Sequence, residues 1–265
     1  KLLAGRARPG NDHALHGSLA SPGGLAATAR FRLRAMGSTV RFASNGETVE
    51  GYLAVPDSGD GPGVIVVQEW WGLVPQIQQV CDQLAAEGFF ALAPDLYHGD
   101  IAEHTEMDKA SHLMATLPID IAARDMLGAV DYLLAHASVR GDKVGVVGYC
   151  MGGMLALVLA AKGGDRIGAA APYYGAPLGD DPPDWSNLTA VVRGHFGGGD
   201  DFFPAPAVQA LEKELQGMGK DVVFEVHEGA GHAFTNDANV FGTYDEDLSA
   251  ETWAKTVTFL HDTLG

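Results

Sequence analysis

The segment from residue 143 to residue 161 constrains the fold of this chain more than any other. Residues 143–147 are mostly apolar and predict a buried β-strand, and residues 154–161 predict a buried helix. Between them lies the hexapeptide Gly-Tyr-Cys-Met-Gly-Gly at residues 148–153. A tight turn of this kind needs positions with little or no side chain. A buried strand that leads directly into a buried helix indicates a sheet covered by helices.

The same turn presents one reactive side chain, the thiol of Cys150. A strand that enters a helix through small-x-nucleophile-x-Gly-Gly forms a nucleophile elbow, here with Cys in place of the usual Ser. The start of the helix adds free backbone N–H groups and a positive dipole end, which favour thiolate. The alternative is a structural Cys in a glycine-rich turn. The second cysteine, Cys81, lies in an amphipathic helical pattern and is predicted to be core.

Strand and helix patterns alternate from residue 63 to the C-terminus. Strands are predicted at residues 63–68, 89–93, 143–147, 167–173, 188–193 and 222–227, and helices at 74–87, 106–116, 119–135, 154–161, 205–218 and 248–264. Residues 39–43 and 49–55 flank a turn and predict an antiparallel hairpin. The predicted fold class is α/β, with a mostly parallel central sheet, helices on both faces and an N-terminal antiparallel hairpin.

The composition of the chain limits the classes of partner that the protein is expected to bind. The 265 residues carry a formal net charge of −17, which argues against nucleic acid and anionic membranes as partners. No apolar run is long enough for a transmembrane helix. Two cysteines give no disulfide framework, and a free nucleophilic thiol fits a reducing, cytoplasmic compartment. We expect a monomer or a small homo-oligomer.

The first 35 residues differ in charge from the rest of the chain. They contain six basic residues and one acidic residue, with scattered Gly and Pro and no periodic apolar face. We interpret residues 1–35 as an N-terminal extension that is not native, with the natural start near Met36 and one domain over residues 36–265. The alternative is an N-terminal arm that packs on this domain.

Four side chains with catalytic potential follow predicted strands. They are Glu69, Cys150, Asp200 and His232, and the carboxyl ends of parallel strands meet at one edge of a sheet. A thiol needs a base, and the base needs an orienting carboxylate. The order Cys150, Asp200, His232 is the order that hydrolases of this fold use. Asp201 is an equal alternative to Asp200 on spacing alone. Glu69 precedes two tryptophans, so burial is expected to raise its pKa.

Five motifs together resemble the dienelactone hydrolase family of α/β-hydrolases, from about residue 38 to the C-terminus. The motifs are Gln-Glu-Trp-Trp-Gly at 68–72, Pro-Asp-Leu-Tyr at 94–97, the hexapeptide at 148–153, His-Phe-Gly at 195–197 with Asp200 before Phe-Phe-Pro-Ala-Pro at 202–206, and Gly-His-Ala-Phe at 231–234.

This resemblance implies a Cys150–His232–Asp200 triad, and therefore favours Asp200 over Asp201. It also implies that Glu69 contacts the thiol at rest and accepts its proton when substrate binds. The implied oxyanion hole consists of the backbone N–H groups of Trp70 and Met151. The pocket around these groups is expected to include Trp71, Tyr149, Phe234 and Asn236.

The chain departs from the family where the substrate carboxylate should bind. Members that act on dienelactone hold its carboxylate with two arginines, and this chain has Asn236 and, nearest to the pattern, Met107 at these places. Lys109 and Arg124 do not occupy the pattern. The sequence therefore predicts a hydrolase of small neutral esters or lactones rather than of dienelactone itself.

Other motifs predict no cofactor and no metal. The chain has no Walker loop, no dinucleotide glycine pattern and no Cys-x-x-Cys, and the spacing of five between His227 and His232 does not fit a zincin helix. Two alternatives remain open at this point. One is a thioesterase or acyltransferase that uses the same site, and the other is a non-catalytic, redox-sensing or ligand-binding relative.

Overall fold

An eight-stranded sheet runs through the described part of the chain, which comprises residues 37–44, 46–179 and 181–265 of a computed structural model. The strands are β1 (Ser38–Ser44), β2 (Glu47–Ala54), β3 (Gly61–Val67), β4 (Phe90–Pro94), β5 (Val139–Tyr149), β6 (Ile167–Tyr173), β7 (Val191–Gly197) and β8 (Val222–His227). The helices are α1 (Pro75–Ala86), α2 (Met107–Thr116), α3 (Ile119–Ala135), α4 (Met151–Gly163), α5 (Ala205–Gly217) and α6 (Glu246–Leu264). The predicted extension at residues 1–35 lies outside the described residues.

The strand order is β1-β2-β4-β3-β5-β6-β7-β8. β1 pairs with β2 and β2 pairs with β4 in antiparallel fashion, and every other pair of neighbours is parallel. The predicted mostly parallel sheet and its N-terminal hairpin are confirmed. The carboxyl ends of β3, β5, β7 and β8 therefore lie at one edge of the sheet, as sequence-distant site residues require.

Helices cover both faces of the sheet. One core layer contains buried residues of α3, α4 and α5, and the other contains buried residues of α1, α2 and α6. Helix α4 is buried along nearly its whole circumference, because it packs between the sheet and neighbouring elements. Within the described residues, no helix combines the length and apolar content that crossing a membrane would require.

Two strands differ from their predicted bounds by three residues or more. β5 begins four residues before the predicted 143. Residues 140–142 are exposed and give no apolar signal, but the backbone of residues 139–140 pairs with the start of β3. β7 begins three residues late and extends to Gly197. Its last residues include two glycines and His195, which have weak strand signals, but β6 and β8 supply hydrogen-bonding partners on both sides.

Candidate active site

Cys150 lies at the junction of β5 and α4, one residue before the helix begins. Its backbone has φ of 55°, a left-handed conformation that is strained for a residue with a Cβ. Two glycines make this turn possible. A Cβ on Gly148 would overlap the carbonyl group of Gly152, and a Cβ on Gly152 would overlap the carbonyl groups of Val67 and Gln68. The strained turn holds the thiol above the strand ends.

Gly148→Ala is expected to lower the free energy of unfolding by about 1–3 kcal/mol, because the added methyl group can only be accommodated by moving backbone. Urea denaturation followed by circular dichroism measures this loss. Gly217→Ala is the matched control, since Gly217 ends α5 and a Cβ there meets open space. Equal stability of the Gly148→Ala variant and the parent would contradict the packing described for the turn.

The structure brings Cys150, His232 and Asp200 into one hydrogen-bonded chain. His232 Nε2 lies 3.2 Å from Cys150 Sγ, and His232 Nδ1 lies 2.8 Å from Asp200 Oδ2. Both His232 and Asp200 are buried. A buried carboxylate at Nδ1 favours the tautomer that carries its hydrogen there, which leaves Nε2 free to accept a proton. This geometry suits a thiol nucleophile with its general base.

Asp200, rather than Asp201, faces the histidine. Its Oδ1 accepts hydrogen bonds from the backbone N–H groups of Phe202, at 2.8 Å, and Phe203, at 3.1 Å. Oδ2 remains directed at His232, so one turn of backbone fixes the orientation of the carboxylate. Asp201 is exposed to solvent. Of the two candidates that spacing left equal, only Asp200 contacts the imidazole.

The surroundings of Cys150 favour the protonated thiol. Burial raises its pKa well above the ordinary value, and the negative charge of Glu69 raises it further. The backbone N–H of Met151, at the start of α4, lowers the pKa but does not outweigh the other two effects. The predicted effect of the helix start on the thiol pKa is therefore present, but burial and the charge of Glu69 outweigh it. His232 Nε2, at 3.2 Å, is within reach of the thiol proton.

Glu69 follows β3 and is 3% exposed. Burial raises the pKa of its carboxyl group, while the charge of His232 and hydrogen bonds from Asn236 and Tyr174 lower it less than burial raises it. The Asn236 side-chain N–H donates to Oε2 at 2.8 Å, and the Tyr174 hydroxyl donates to Oε1 at 3.2 Å. The predicted upward shift in pKa is thus present, and hydrogen bonds from Asn236, Tyr174 and Trp71 hold the carboxyl group in place.

The structure bears on two expectations for this group. Among the described residues, the hydrogen-bond partner of the thiol is His232, and no hydrogen bond joins Glu69 to Cys150. The carboxyl oxygens of Glu69 accept from Asn236 and Tyr174, and the implied contact with the resting thiol stays a prediction. Asn236, expected in the substrate pocket, is itself buried and engaged with Glu69.

Glu69→Gln is expected to stabilise the protein more at pH 8 than at pH 5. Because folding raises the pKa of Glu69 above its ordinary value of 4.5, the folded state binds more protons than the unfolded state between these two values. The free energy of unfolding of the parent therefore falls as pH rises through that window, whereas glutamine does not titrate. Thermal unfolding of both proteins across this pH range measures the difference. Exposed Glu228→Gln is the control, and a pH-independent effect of Glu69→Gln would contradict the assignment.

The two proposed oxyanion-hole donors belong to neighbouring elements. Met151 is the first residue of α4, where backbone N–H groups have no acceptor within the helix, and Trp70 follows Glu69 after β3. The Tyr97 hydroxyl links the two, since it donates to the Trp70 carbonyl oxygen at 3.2 Å and lies 3.4 Å from Met151 Sδ. Tyr97 thereby sets the spacing between the segments that carry these N–H groups.

Aromatic rings surround His232. The rings of Phe202, Phe203 and Phe241 lie 4.8, 5.8 and 5.5 Å from its imidazole, centre to centre. Phe202 is 60% exposed, and Trp70 stacks on Phe241. The mouth of the site is therefore apolar and aromatic, which favours neutral, apolar groups of a ligand.

The predicted pocket residues lie deeper than expected. Trp71 and Phe234 are 1% and 0% exposed, and Tyr149 is buried against Tyr173. These three side chains form the floor beneath the site rather than its accessible wall, because the sheet and α6 cover them. The sequence predicted the correct loops, but not which aromatic residues in them reach solvent.

Sequence reasoning missed Tyr174, Tyr97 and Phe241. Tyr174 has φ of 36°, a second strained position beside Cys150, and its ring contacts His232. Backbone strain leaves no signal in a single sequence. Tyr97 was part of a recognised motif, but its link to Trp70 and Met151 depends on the approach of β3, β4 and α4.

Comparison with known proteins identifies the family. A model of the dienelactone hydrolase family matches residues 49–264. The chain belongs to the dienelactone hydrolase family. It is 36% identical over 235 residues to "Protein usf" of Aquifex pyrophilus, across 86% of this chain and 100% of that relative. It is 34% identical over 230 residues to a "Putative carboxymethylenebutenolidase" of Aquifex aeolicus, across 84% of this chain and 97% of that relative.

A solved structure supports the same family. The "Putative Dienelactone Hydrolase" from Klebsiella pneumoniae superimposes with a TM-score of 0.74 at 26% identity, across 85% of this chain and 98% of that chain. The resemblance inferred from the motifs is confirmed. As a member of the dienelactone hydrolase family, this chain is a hydrolase of that type with an α/β-hydrolase fold.

Proposed function

We propose that this family member hydrolyses small neutral carboxylic esters or lactones through a Cys150–His232–Asp200 triad and a thioester intermediate. The observation that carries the proposal is the continuous chain from Asp200 Oδ2 through both nitrogens of His232 to the thiol of Cys150. An activated nucleophile with an oriented base is the arrangement that acyl transfer needs.

Acylation begins when Cys150 Sγ attacks the carbonyl carbon while His232 Nε2 accepts the thiol proton. The carbonyl oxygen becomes an oxyanion, which the backbone N–H groups of Trp70 and Met151 stabilise. The intermediate collapses, the bond to the alcohol oxygen breaks, and His232 returns the proton to that oxygen. Asp200 stabilises the imidazolium that exists between these two transfers.

Deacylation repeats the sequence with water. His232 Nε2 takes a proton from water as the oxygen attacks the thioester carbon, and the second tetrahedral intermediate expels the Cys150 sulfur. The sulfur regains its proton from His232, and the acid product leaves as a carboxylate. Burial, reinforced by the charge of Glu69, raises the pKa of the thiol and keeps the resting enzyme in its thiol form.

Charge and burial favour neutral substrates. Within the described residues, no hydrogen bond or ion pair places a Lys or Arg against Cys150, His232 or Glu69. Asn236 occupies the position where family members that act on dienelactone have an arginine. Its side-chain N–H donates to Glu69 and is therefore not available to a substrate. A carboxylate entering this aromatic mouth would lose its hydration without gaining a cation.

The expected result is that p-nitrophenyl butyrate has a kcat/KM about 10-fold or more above that of p-nitrophenyl hemisuccinate. The two esters share a leaving group and an acyl chain length, and differ in a terminal methyl group against a carboxylate. A tenfold ratio corresponds to about 1.4 kcal/mol, less than the cost of burying an unpaired charge. Initial rates of p-nitrophenolate release measure both values.

Repeating both assays at high salt distinguishes the effect of the pocket on substrate preference from that of the net charge of −17, since salt screens only long-range repulsion. A preference that persists at high salt comes from the site itself. A higher kcat/KM for the hemisuccinate would contradict the neutral-substrate proposal while leaving the triad in place. Failure to hydrolyse either ester would contradict the proposed function as a whole.

A further inference from the structure

Three metal-ligating side chains converge on the last two strands of the sheet, outside the site described above. They are His195 on β7 and Glu225 and His227 on β8. One ligand atom from each side chain lies within 4.8 Å of the other two. His195 Nδ1 and His227 Nε2 are 3.2 Å apart. None of these residues takes part in the proposed acyl transfer.

Strand register explains the convergence. His195 pairs with Glu225 across β7 and β8, and His227 is two residues beyond Glu225. Side chains two apart on one strand point to the same face, and directly paired residues share that face. The cluster therefore follows from ordinary sheet geometry, and the face that carries it is the one against which α6 packs through Lys255.

The distances fit tetrahedral coordination. Two nitrogens bound to one Zn²⁺ at about 2.0–2.1 Å, at a tetrahedral angle, lie about 3.3 Å apart. The observed separation of 3.2 Å between His195 Nδ1 and His227 Nε2 agrees with this value. Both strands are part of a regular sheet, so the two imidazoles are held in place before any ion binds.

We propose that His195, Glu225 and His227 form a binding site for a divalent first-row transition metal, with Zn²⁺ as the representative ion. Two imidazoles and one carboxylate suit Zn²⁺ and its neighbours, whereas Ca²⁺ and Mg²⁺ prefer oxygen ligands only. Three protein ligands leave a fourth position for water. Without metal, one imidazole N–H points at the facing nitrogen of the other ring. When the metal binds, this hydrogen moves to the other nitrogen of its own ring, so that both facing nitrogens can each give a lone pair to the metal.

Lys255 competes with the metal for the carboxylate. Its ammonium group lies 2.6 Å from Glu225 Oε2 and 3.0 Å from Glu251 Oε1. Metal binding transfers Lys255 to Glu251, which lies one turn earlier on α6 and is exposed. A cavity of about 680 Å³, lined in part by His195, Glu225 and Lys255, provides the route from solvent.

The proposed metal site links β7 and β8, the two strands that lead into the loops carrying Asp200 and His232. Asp200 follows β7 by three residues, and His232 follows β8 by five. The His227 carbonyl already accepts hydrogen bonds from the N–H groups of Gly198, at 2.8 Å, and Ala230, at 3.2 Å. A metal bridging His195 and His227 therefore stabilises the base of both loops, and its effect is structural rather than chemical.

Isothermal titration of Zn²⁺ into full-length, EDTA-treated Cys150→Ala protein tests the proposal. This background removes the thiol that lies 3.2 Å from His232, which could itself hold Zn²⁺. The expected result is saturable binding that includes one Zn²⁺ ion at this site. Adding His227→Gln or, independently, Glu225→Gln is expected to weaken the binding of that ion by about 100-fold or more. His112→Gln, exposed on α2, is the matched control. Circular dichroism confirms that each variant is folded.

Lys255→Met separates a metal site from a structural ion pair. If Lys255 competes with the metal, its removal frees Glu225 and raises Zn²⁺ affinity by about 10-fold or more. Unchanged or weaker affinity in Lys255→Met would overturn the proposed competition and with it the assignment of Glu225 as a ligand. No saturable binding, or binding unaffected by both His227→Gln and Glu225→Gln, would overturn the site. These results are independent of ester hydrolysis.

Discussion

Cys150→Ala is expected to lower kcat for p-nitrophenyl butyrate by about 10⁴-fold or more, while the variant folds and keeps its melting temperature within a few degrees. The thiol is the only group in the proposed mechanism that forms a covalent bond with the substrate, and loss of a triad member removes most of the catalytic effect. The side chain is small and only half-buried, so its truncation leaves little cavity. Steady-state assays and thermal unfolding measure both expectations.

Cys81→Ala is the matched control for this substitution. Cys81 is fully buried in α1, and burial raises the pKa of its thiol. Its replacement is expected to reduce stability modestly and to leave kcat unchanged. Iodoacetamide is expected to inactivate the parent by alkylating Cys150 and not Cys81, as peptide mass spectrometry would show. Substantial esterase activity in Cys150→Ala would contradict the triad.

Asp200→Asn is expected to lower kcat by about 10⁴-fold with little change in KM. The asparagine oxygen can still accept the N–H groups of Phe202 and Phe203, so its amide N–H₂ would face His232 Nδ1. This forces the hydrogen of the imidazole onto Nε2, where it points at the thiol. Nε2 then cannot accept the thiol proton, and the raised pKa of Cys150 leaves almost no thiolate to react directly.

Asp201→Asn removes the same charge one residue away and serves as its control. Asp201 is exposed, so this variant is expected to keep the kcat of the parent. Equal loss of activity in both variants would show that the loop, rather than the hydrogen bond to His232, matters. Steady-state assays of both variants with p-nitrophenyl butyrate make the comparison, because only Asp200→Asn replaces the carboxylate that lies against His232 Nδ1.

Much of the fold could be predicted from the sequence, because its signals are local. Continuous apolar runs mark the buried parallel strands, and helical periodicity marks the surrounding helices. The helix at residues 119–135 was predicted with its observed bounds. Prediction was poorer for β7, where glycines and His195 interrupt the apolar pattern and the pairing partners are distant in the chain.

The candidate site also has parts that local sequence predicts and parts that it does not. The hexapeptide around Cys150, the glycine-rich loop at His232 and the family motifs are contiguous, so the sequence by itself determined the family and identified the candidate nucleophile and base. Neighbouring Asp200 and Asp201 share one local environment in sequence. The family resemblance favoured Asp200, and the structure supplies the physical reason, since the backbone N–H groups of Phe202 and Phe203 orient its carboxylate toward His232.

Only the tertiary structure decided the environment of Glu69. Its partners Tyr174 and Asn236 are 105 and 167 residues away, and no local pattern encodes such a contact. The same holds for His195 and His227, which are 32 residues apart and meet through strand pairing. Which residues face each other depends on register and burial, and these are properties of the packed sheet rather than of any single segment.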